Sequence, residues 1–405
     1  MKLAMILIDA FAYNYLSDKY TSFIYKISND NTLLRLNPIL GYSDSIRATI
    51  FTGAYPEDHR YWMFYKFSPE TSPFKGLTRL KFIENFPELI KRPMKIAISL
   101  TYCKYLSKKF GYSNLSVQNF LLNTVEYFDF TLKENMLTPN VFGDYRTIFD
   151  ILSENNIKWQ YINSTNPIYL LRSPSSQRKY LLSKIRDINE ETDFIFIYLH
   201  HPDILAHRFG INSKRFKNVL KETDILVKDL YEELIRRFKE ISVIIFSDHG
   251  MADAQKFINF NDIFKEKGFG KDYLIALDST MVRIWYLKEK GYKIREYFEN
   301  LNYGRFLSKN ELKDLKIKFD NRWYFDDIYL IEPPYNIYPN FTSLLKPYAM
   351  HAYHPDLESQ KGIAIFYNMD VRKKNEVELV DFMPTVLDYF GISKPNNLRG
   401  ESLLK

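Results

Sequence analysis

The chain has 405 residues, 46% of them hydrophobic and 26% charged, a balance that describes a globular protein able to bury one large α/β domain or two to three smaller ones. Lys and Arg exceed Asp and Glu by a formal +7, a mild excess that reads as spread along the chain without a basic block; this argues against nucleic acid as an obligatory partner and favours an anionic substrate. A single cysteine, Cys103, excludes an intramolecular disulfide framework, and no run approaches the ~20 apolar residues of a membrane span, so a soluble, cytoplasmic chain with no membrane span is expected.

Residues 1–8 are too few for a signal h-region, lack a small-residue cleavage site and run straight into Asp9, so they predict a buried strand. Residues 41–53 follow, Gly-Tyr-Ser-Asp-Ser-Ile-Arg-Ala-Thr-Ile-Phe-Thr-Gly. Ser43 precedes Arg47 by four, ahead of an apolar helix-like run closed by Thr52 and Gly53. Its hydroxyl is therefore expected at a loop-to-helix junction, where backbone N–H groups favour an anion. Taken alone, an ordinary Ser N-cap explains this better; a serine becomes a nucleophile only when a base or a metal activates it.

Residues 3–9, 194–203 and 242–249 share one design, a short apolar run ending in acidic or histidine residues. Such runs suit strands buried on both faces of a parallel sheet, and helix-like stretches at 147–155 and 216–238 lie between them. The alternation predicts an α/β three-layer sandwich with a largely parallel central sheet, whose ligands bind beyond the carboxyl ends of the strands. Two stretches interrupt it. Residues 61–139 are rich in Lys, Tyr and Phe without a strand-helix repeat. Residues 254–348 hold a strand-like 280–287, a helix-like 293–301 and an aromatic 323–331. Both read as insertions flanking the site of a single catalytic domain spanning 1–405, the second as a small α+β cap.

Only seven histidines occur, so each can be weighed. Asp203 and His207 stand four apart just after a strand, hence on one face of a helical turn. Asp248-His249-Gly250 closes the third apolar run as Asp9 closes the first. His351 precedes another apolar run, 362–367. Carboxylate with imidazole is good chemistry for zinc or manganese. Singly, each has a bland reading as a cap, a surface pair or a loop residue; jointly they supply three carboxylates, three imidazoles and one hydroxyl. His59 reads as structural, His200 and His201 as lining or supporting the site, and His354 as the substitute for His351.

These residues, in this order, resemble the alkaline phosphatase superfamily and, within it, the type I phosphodiesterase/nucleotide pyrophosphatase family. The matching positions are Asp9, Ser43 with Thr52-Gly53-x-Tyr55-Pro56-Glu57-x-His59, Asp203-x-x-x-His207, Ser247-Asp248-His249-Gly250-Met251 and His351-Ala352-Tyr353. Residues 380–392 with Gly400-Glu401-Ser402-Leu403 resemble the superfamily's final helix and tail. The resemblance implies an alkaline-phosphatase-like fold and two divalent metal ions, Zn2+ first and Mn2+ second. One metal would be held by Asp203, His207 and His351, the other by Asp9, Ser43, Asp248 and His249. Ser43 would form a phosphoseryl intermediate, with Arg47 as an anion contact.

Three departures bear on the substrate. The family usually has a threonine nucleophile. Its phosphate-binding asparagine falls here at Phe64, which puts nucleotide diesters in doubt. And Ser43-x-x-x-Arg47 followed by Thr52-Gly53 also looks like a sulfatase signature. That alternative ranks second, because Ser45 stands where Pro or Ala belongs and Asp9 is followed by Ala10. A phosphotransferase or mutase of the superfamily is a further alternative, and a non-enzymatic phospho-ligand binder the least favoured. The expected partner is a small-molecule, nucleotide or glycan phosphate ester. Nothing in the sequence marks an oligomeric state.

Overall fold

Past Lys2, every residue of the first strand, β1 (Lys2–Ile8), is buried, because helices cover both sides of the sheet it belongs to. The other strands are β2 (Thr32–Asn37), β3 (Trp159–Asn163), β4 (Phe194–Leu199), β5 (Ile241–Phe246), β6 (Gly362–Tyr367) and β7 (Glu376–Glu378). They run in the order β7-β2-β6-β5-β1-β4-β3. Pairing is parallel throughout except at β6, which is antiparallel to both its neighbours. The predicted largely parallel α/β sheet is therefore the observed one.

In this computed structural model the described residues are 1–110, 121–164, 174–340 and 346–405, and they divide into two compact units. The first comprises residues 1–59, 142–254 and 347–405 and contains the sheet. Period-two alternation sends Ala4, Ile6 and Ile8, with Ile195, Ile197, Val243 and Ile245, to one face. There they meet Leu181 and Ile185 of the Pro174–Arg186 helix and Val227, Leu230 and Leu234 of the Lys214–Arg237 helix. The opposite face is aromatic. Phe196 packs edge-on against Phe51 at 5.2 Å, and Phe246 meets Phe382 at 4.4 Å.

Local chemistry sets the helix ends. Residues 147–155 become helix Ile148–Glu154, started by a capping box between Thr147 and Asp150. The long helix begins at Lys214, two residues before the apolar pattern, because the Ser213 side chain caps it. Helix α1 (Ser43–Thr52) stops at Gly53, whose left-handed φ of 60° lets its N–H reach Thr49 O.

The second unit comprises residues 60–141 and 255–346. An antiparallel sheet orders Tyr273–Leu277, Met281–Tyr286, Asp327–Ile331 and Gly304–Phe306. The two stretches read separately from the sequence share one core here: Phe74, Leu77, Leu106 and Phe128 cluster with Leu274, Ala276 and Trp285. They form one unit, since neither stretch alone buries Trp285, which meets Phe128 at 5.3 Å. Residues 111–120 and 341–345 of those stretches lie outside the described residues.

Candidate metal centre and nucleophile

The register pairs Leu7 of β1 with Tyr198 of β4 and with Phe246 of β5, so the three parallel strands end level. Asp9, His200 and Ser247-Asp248 follow at the carboxyl ends of these three neighbouring strands, within the first unit. Helix α2 (His201–Phe209) begins immediately after β4 and places Asp203 and His207 one turn apart. A two-residue strand, Ala349–Met350, pairs antiparallel with Ala252–Asp253 just past Met251, and so brings His351 back to His249. Their rings stack with centres 3.9 Å apart and planes 18° from parallel.

Asp203 Oδ1 lies 3.2 Å from His207 Nε2 and 3.6 Å from His351 Nε2. His249 Nε2 lies 3.3 Å from Asp9 Oδ1, 3.6 Å from Asp248 Oδ2 and 3.2 Å from the Ser43 hydroxyl. Among the described residues two groups could each hold a cation, Asp203 with His207 and His351, and Asp9 with Asp203 and His249; in each the donor atoms lie within 4.8 Å of one another. Asp203 belongs to both.

The imidazoles are oriented by their other nitrogens. His207 Nδ1–H donates to Ala349 O at 2.7 Å and His249 Nδ1–H to Gly250 O at 2.8 Å, which directs both Nε2 atoms at the carboxylates. Gly250 is required where it stands: its N–H donates to Gln360 O at 2.7 Å, and a Cβ there would come 2.2 Å from Ser359 O. Asp248 Oδ1 accepts from the N–H of Ala10 at 3.2 Å and of His249 at 3.0 Å, and Ala10 takes a left-handed φ of 57°.

Electrostatics show what the donor set lacks. Asp9 Oδ1, Asp203 Oδ1 and Asp248 Oδ2 are buried and accept no hydrogen bond. Burial, then the charge of Asp9, pushes the Asp248 carboxyl up to about 7. Burial acts to lower His249, yet Asp248 and Asp9 hold it up to about 10. Burial and then the neighbouring His249 and His207 hold His351 well below the ordinary imidazole range, as a neutral donor. The groups facing these buried carboxylate oxygens are imidazole Nε2 atoms at 3.2–3.6 Å, a donor set of the kind that binds divalent cations.

Ser43 is the first residue of α1, at the expected loop-to-helix junction. Arg47, one turn on, does not extend into open space. Its guanidinium pairs with Asp44, donates to Ser43 O at 3.4 Å and lies over the Tyr198 ring at 4.7 Å. Tyr198 was not singled out by sequence, yet its hydroxyl donates to Asp9 Oδ2. The one available signal was a lone hydroxyl-bearing residue near the end of an otherwise apolar strand.

Of the remaining histidines, His59 is buried with Nε2 3.2 Å from Thr49 Oγ1. His200 packs on Tyr198 with ring centres 5.2 Å apart, and its Nδ1 is buried without a hydrogen bond. His354 belongs to neither donor group and lies 3.6 Å from Asp356.

A family model described as type I phosphodiesterase / nucleotide pyrophosphatase matches residues 3–334. The chain is 27% identical over 227 residues to bis(5'-adenosyl)-triphosphatase enpp4 of Xenopus laevis, covering 52% of this chain and 47% of that one. The Mus musculus protein of the same name is 37% identical over 71 residues, 17% of this chain and 16% of that one. The chain thus matches about half or less of the length of these curated relatives. Murine ectonucleotide pyrophosphatase / phosphodiesterase 5, solved as an inactive variant in complex with AMP, shares the fold, with a TM-score of 0.68, 14% identity and full coverage of both chains. With a family model matched over most of its length, the chain belongs to the type I phosphodiesterase/nucleotide pyrophosphatase family.

Proposed function

We propose that this chain is a divalent-metal-dependent hydrolase of phosphate esters, with Ser43 as nucleophile. The observation that carries the reading is the Ser43 hydroxyl 3.2 Å from His249 Nε2, which itself lies 3.3 Å from Asp9 Oδ1 and 3.6 Å from Asp248 Oδ2, beside the Asp203, His207 and His351 group. Asp203, His207 and His351 would hold one metal ion, and Asp9, Ser43, Asp248 and His249 the other. Bound cations would supply Lewis-acid polarisation of the phosphoryl oxygens and a lowered pKa for the serine hydroxyl.

The chain's own residues do the rest. Ser43 Oγ attacks phosphorus, a serine–phosphorus ester bond forms, the bond to the leaving oxygen breaks, and water later cleaves the phosphoseryl ester. The N-terminal end of α1 favours the negative charge gathered there. Arg47 orders the serine from one turn away through Asp44 and the Ser43 carbonyl.

For the substrate we favour an extended organic phosphate, a diester or nucleotide-linked phosphate, over a small monoester. The relatives' names and the AMP bound to a structural neighbour support that choice. Zinc is the first choice for this Asp/His donor set and manganese the second. A sulfuric ester is disfavoured by the family, and the lone Cys103 suits a reducing compartment such as the cytoplasm. The test is hydrolysis of bis-p-nitrophenyl phosphate, p-nitrophenyl phosphate and p-nitrophenyl sulfate by chain stripped with a chelator and then resupplied with Zn2+ or Mn2+. Loss and recovery on the phosphates, with the diester preferred, is expected. Full turnover without metal, or preference for the sulfate, would overturn the reading.

A further inference from the structure

The formal charge of the chain is not spread evenly, contrary to the reading from composition. Residues 75–110 carry nine Lys and Arg against two Glu, an excess of seven that equals the excess of the whole chain. The same segment of the second unit concentrates exposed apolar side chains: Phe82, Phe86, Leu89, Ile90, Leu100 and Tyr105 are all exposed, Leu89 by 90% and Leu100 by 69%.

The segment is helical through Glu88–Ile98, Ser99–Cys103 and Lys104–Phe110. Leu89, Pro93, Ala97, Leu100 and Lys104 recur at steps of four, four, three and four, and all are exposed. They make one stripe along the run. Cys103 and Leu106 are buried in the core of the unit, joined there by Met94 and Ile98, so the stripe faces away from that core. Lys81 precedes it, and Lys104 and Lys108 close it, all exposed.

We propose that this face docks on an anionic phospholipid surface. A contiguous exposed apolar face needs an occupant. A second copy of the chain would bring together two segments that each carry an excess of seven positive charges. Nucleic acid would match the charge but leave Leu89 and Leu100 against a polar backbone. A bilayer interface bearing acidic headgroups satisfies both features, since cations meet headgroups while leucine and phenylalanine enter the acyl boundary.

The test is sedimentation of the full chain with phosphatidylcholine vesicles, with and without phosphatidylserine, at low and at physiological salt. Binding should require phosphatidylserine and weaken with salt. The Lys81→Ala/Lys104→Ala/Lys108→Ala triple variant should lose about a hundredfold in partition coefficient, at about fivefold per charge. The Leu89→Gln/Leu100→Gln variant should bind about a hundredfold more weakly, at roughly 1.5 kcal/mol, about tenfold, per buried leucine. These positions are exposed, so the circular dichroism spectrum should not change. The proposal is overturned if the chain ignores anionic vesicles at low salt, or if either variant binds as the parent does. It is equally overturned if the chain instead forms a dimer that Leu89→Gln/Leu100→Gln dissolves, or takes up duplex nucleic acid and no vesicles.

Discussion

The Ser43 hydroxyl lies 3.2 Å from His249 Nε2, in the position where a general base would stand. Yet His249 is poorly suited to that work. Asp248 and Asp9 outweigh burial and keep the metal-free imidazole protonated at neutral pH, so it has no lone pair at Nε2 with which to take the serine proton. The same two carboxylates that hold that proton are the ones a cation would replace it on, which is why the pair reads as nucleophile and ligand.

Tyr198 adds a positioning role. Its hydroxyl occupies Asp9 Oδ2 and leaves Oδ1 facing His249. Tyr198→Phe keeps the ring beneath the Arg47 guanidinium and removes only that hydrogen bond. Metal affinity, measured by competition with a chromogenic chelator, should fall about 10- to 100-fold with little change in thermal midpoint. Unchanged affinity would show that Asp9 needs no such partner.

Gly250 explains the third residue of Asp-His-Gly. Gly250→Ala would drive a methyl into the carbonyls of Ser359 and Lys361 and displace the Gly250 carbonyl that holds His249 Nδ1. A stability loss of about 3 kcal/mol or more is expected, together with loss of metal. Calorimetry and metal analysis check it, and a variant with the parent's thermal midpoint and metal content would contradict the packing argument.

His59 gives a pH dependence separate from the metal ligands. Burial pushes its imidazole down from 6.5 to about 3. Between those values the unfolded chain binds a proton that the folded chain does not, so this contribution is intact above pH 6.5 and stability falls as pH drops below it, by about 1.4 kcal/mol per pH unit. The thermal midpoint of His59→Gln should therefore decline less steeply between pH 6.5 and 4 than that of the parent. Parallel curves would contradict the assignment.

Much of the site was legible because strand-end polar residues interrupt apolar runs. Asp9 and Asp248 stand just past the ends of buried apolar strands, and Asp203 and His207 stand one turn apart on the helix that follows a third. Tyr198 was hidden because an apolar run reports burial and not which neighbour a hydroxyl will meet; that depended on the register of β4 against β1. The union of residues 60–141 with 255–346 rests on contacts such as Phe128 with Trp285, more than a hundred residues apart, which leave no local pattern. The richness of residues 61–139 in Lys, Tyr and Phe was legible, but not that cations and apolar side chains within it share one exposed face, which depends on what the segment buries against the rest of its unit.

The most direct test of the account is the covalent state of Ser43. The metal-loaded chain, mixed with a phosphodiester substrate, quenched in acid during turnover and digested, should yield the peptide carrying Ser43 with the substrate's phosphoryl group attached. Ser43→Ala should give no adduct, with turnover lower by several orders of magnitude and its metal largely retained. Turnover of the Ser43→Ala variant near that of the parent, or an adduct on any other residue, would contradict it.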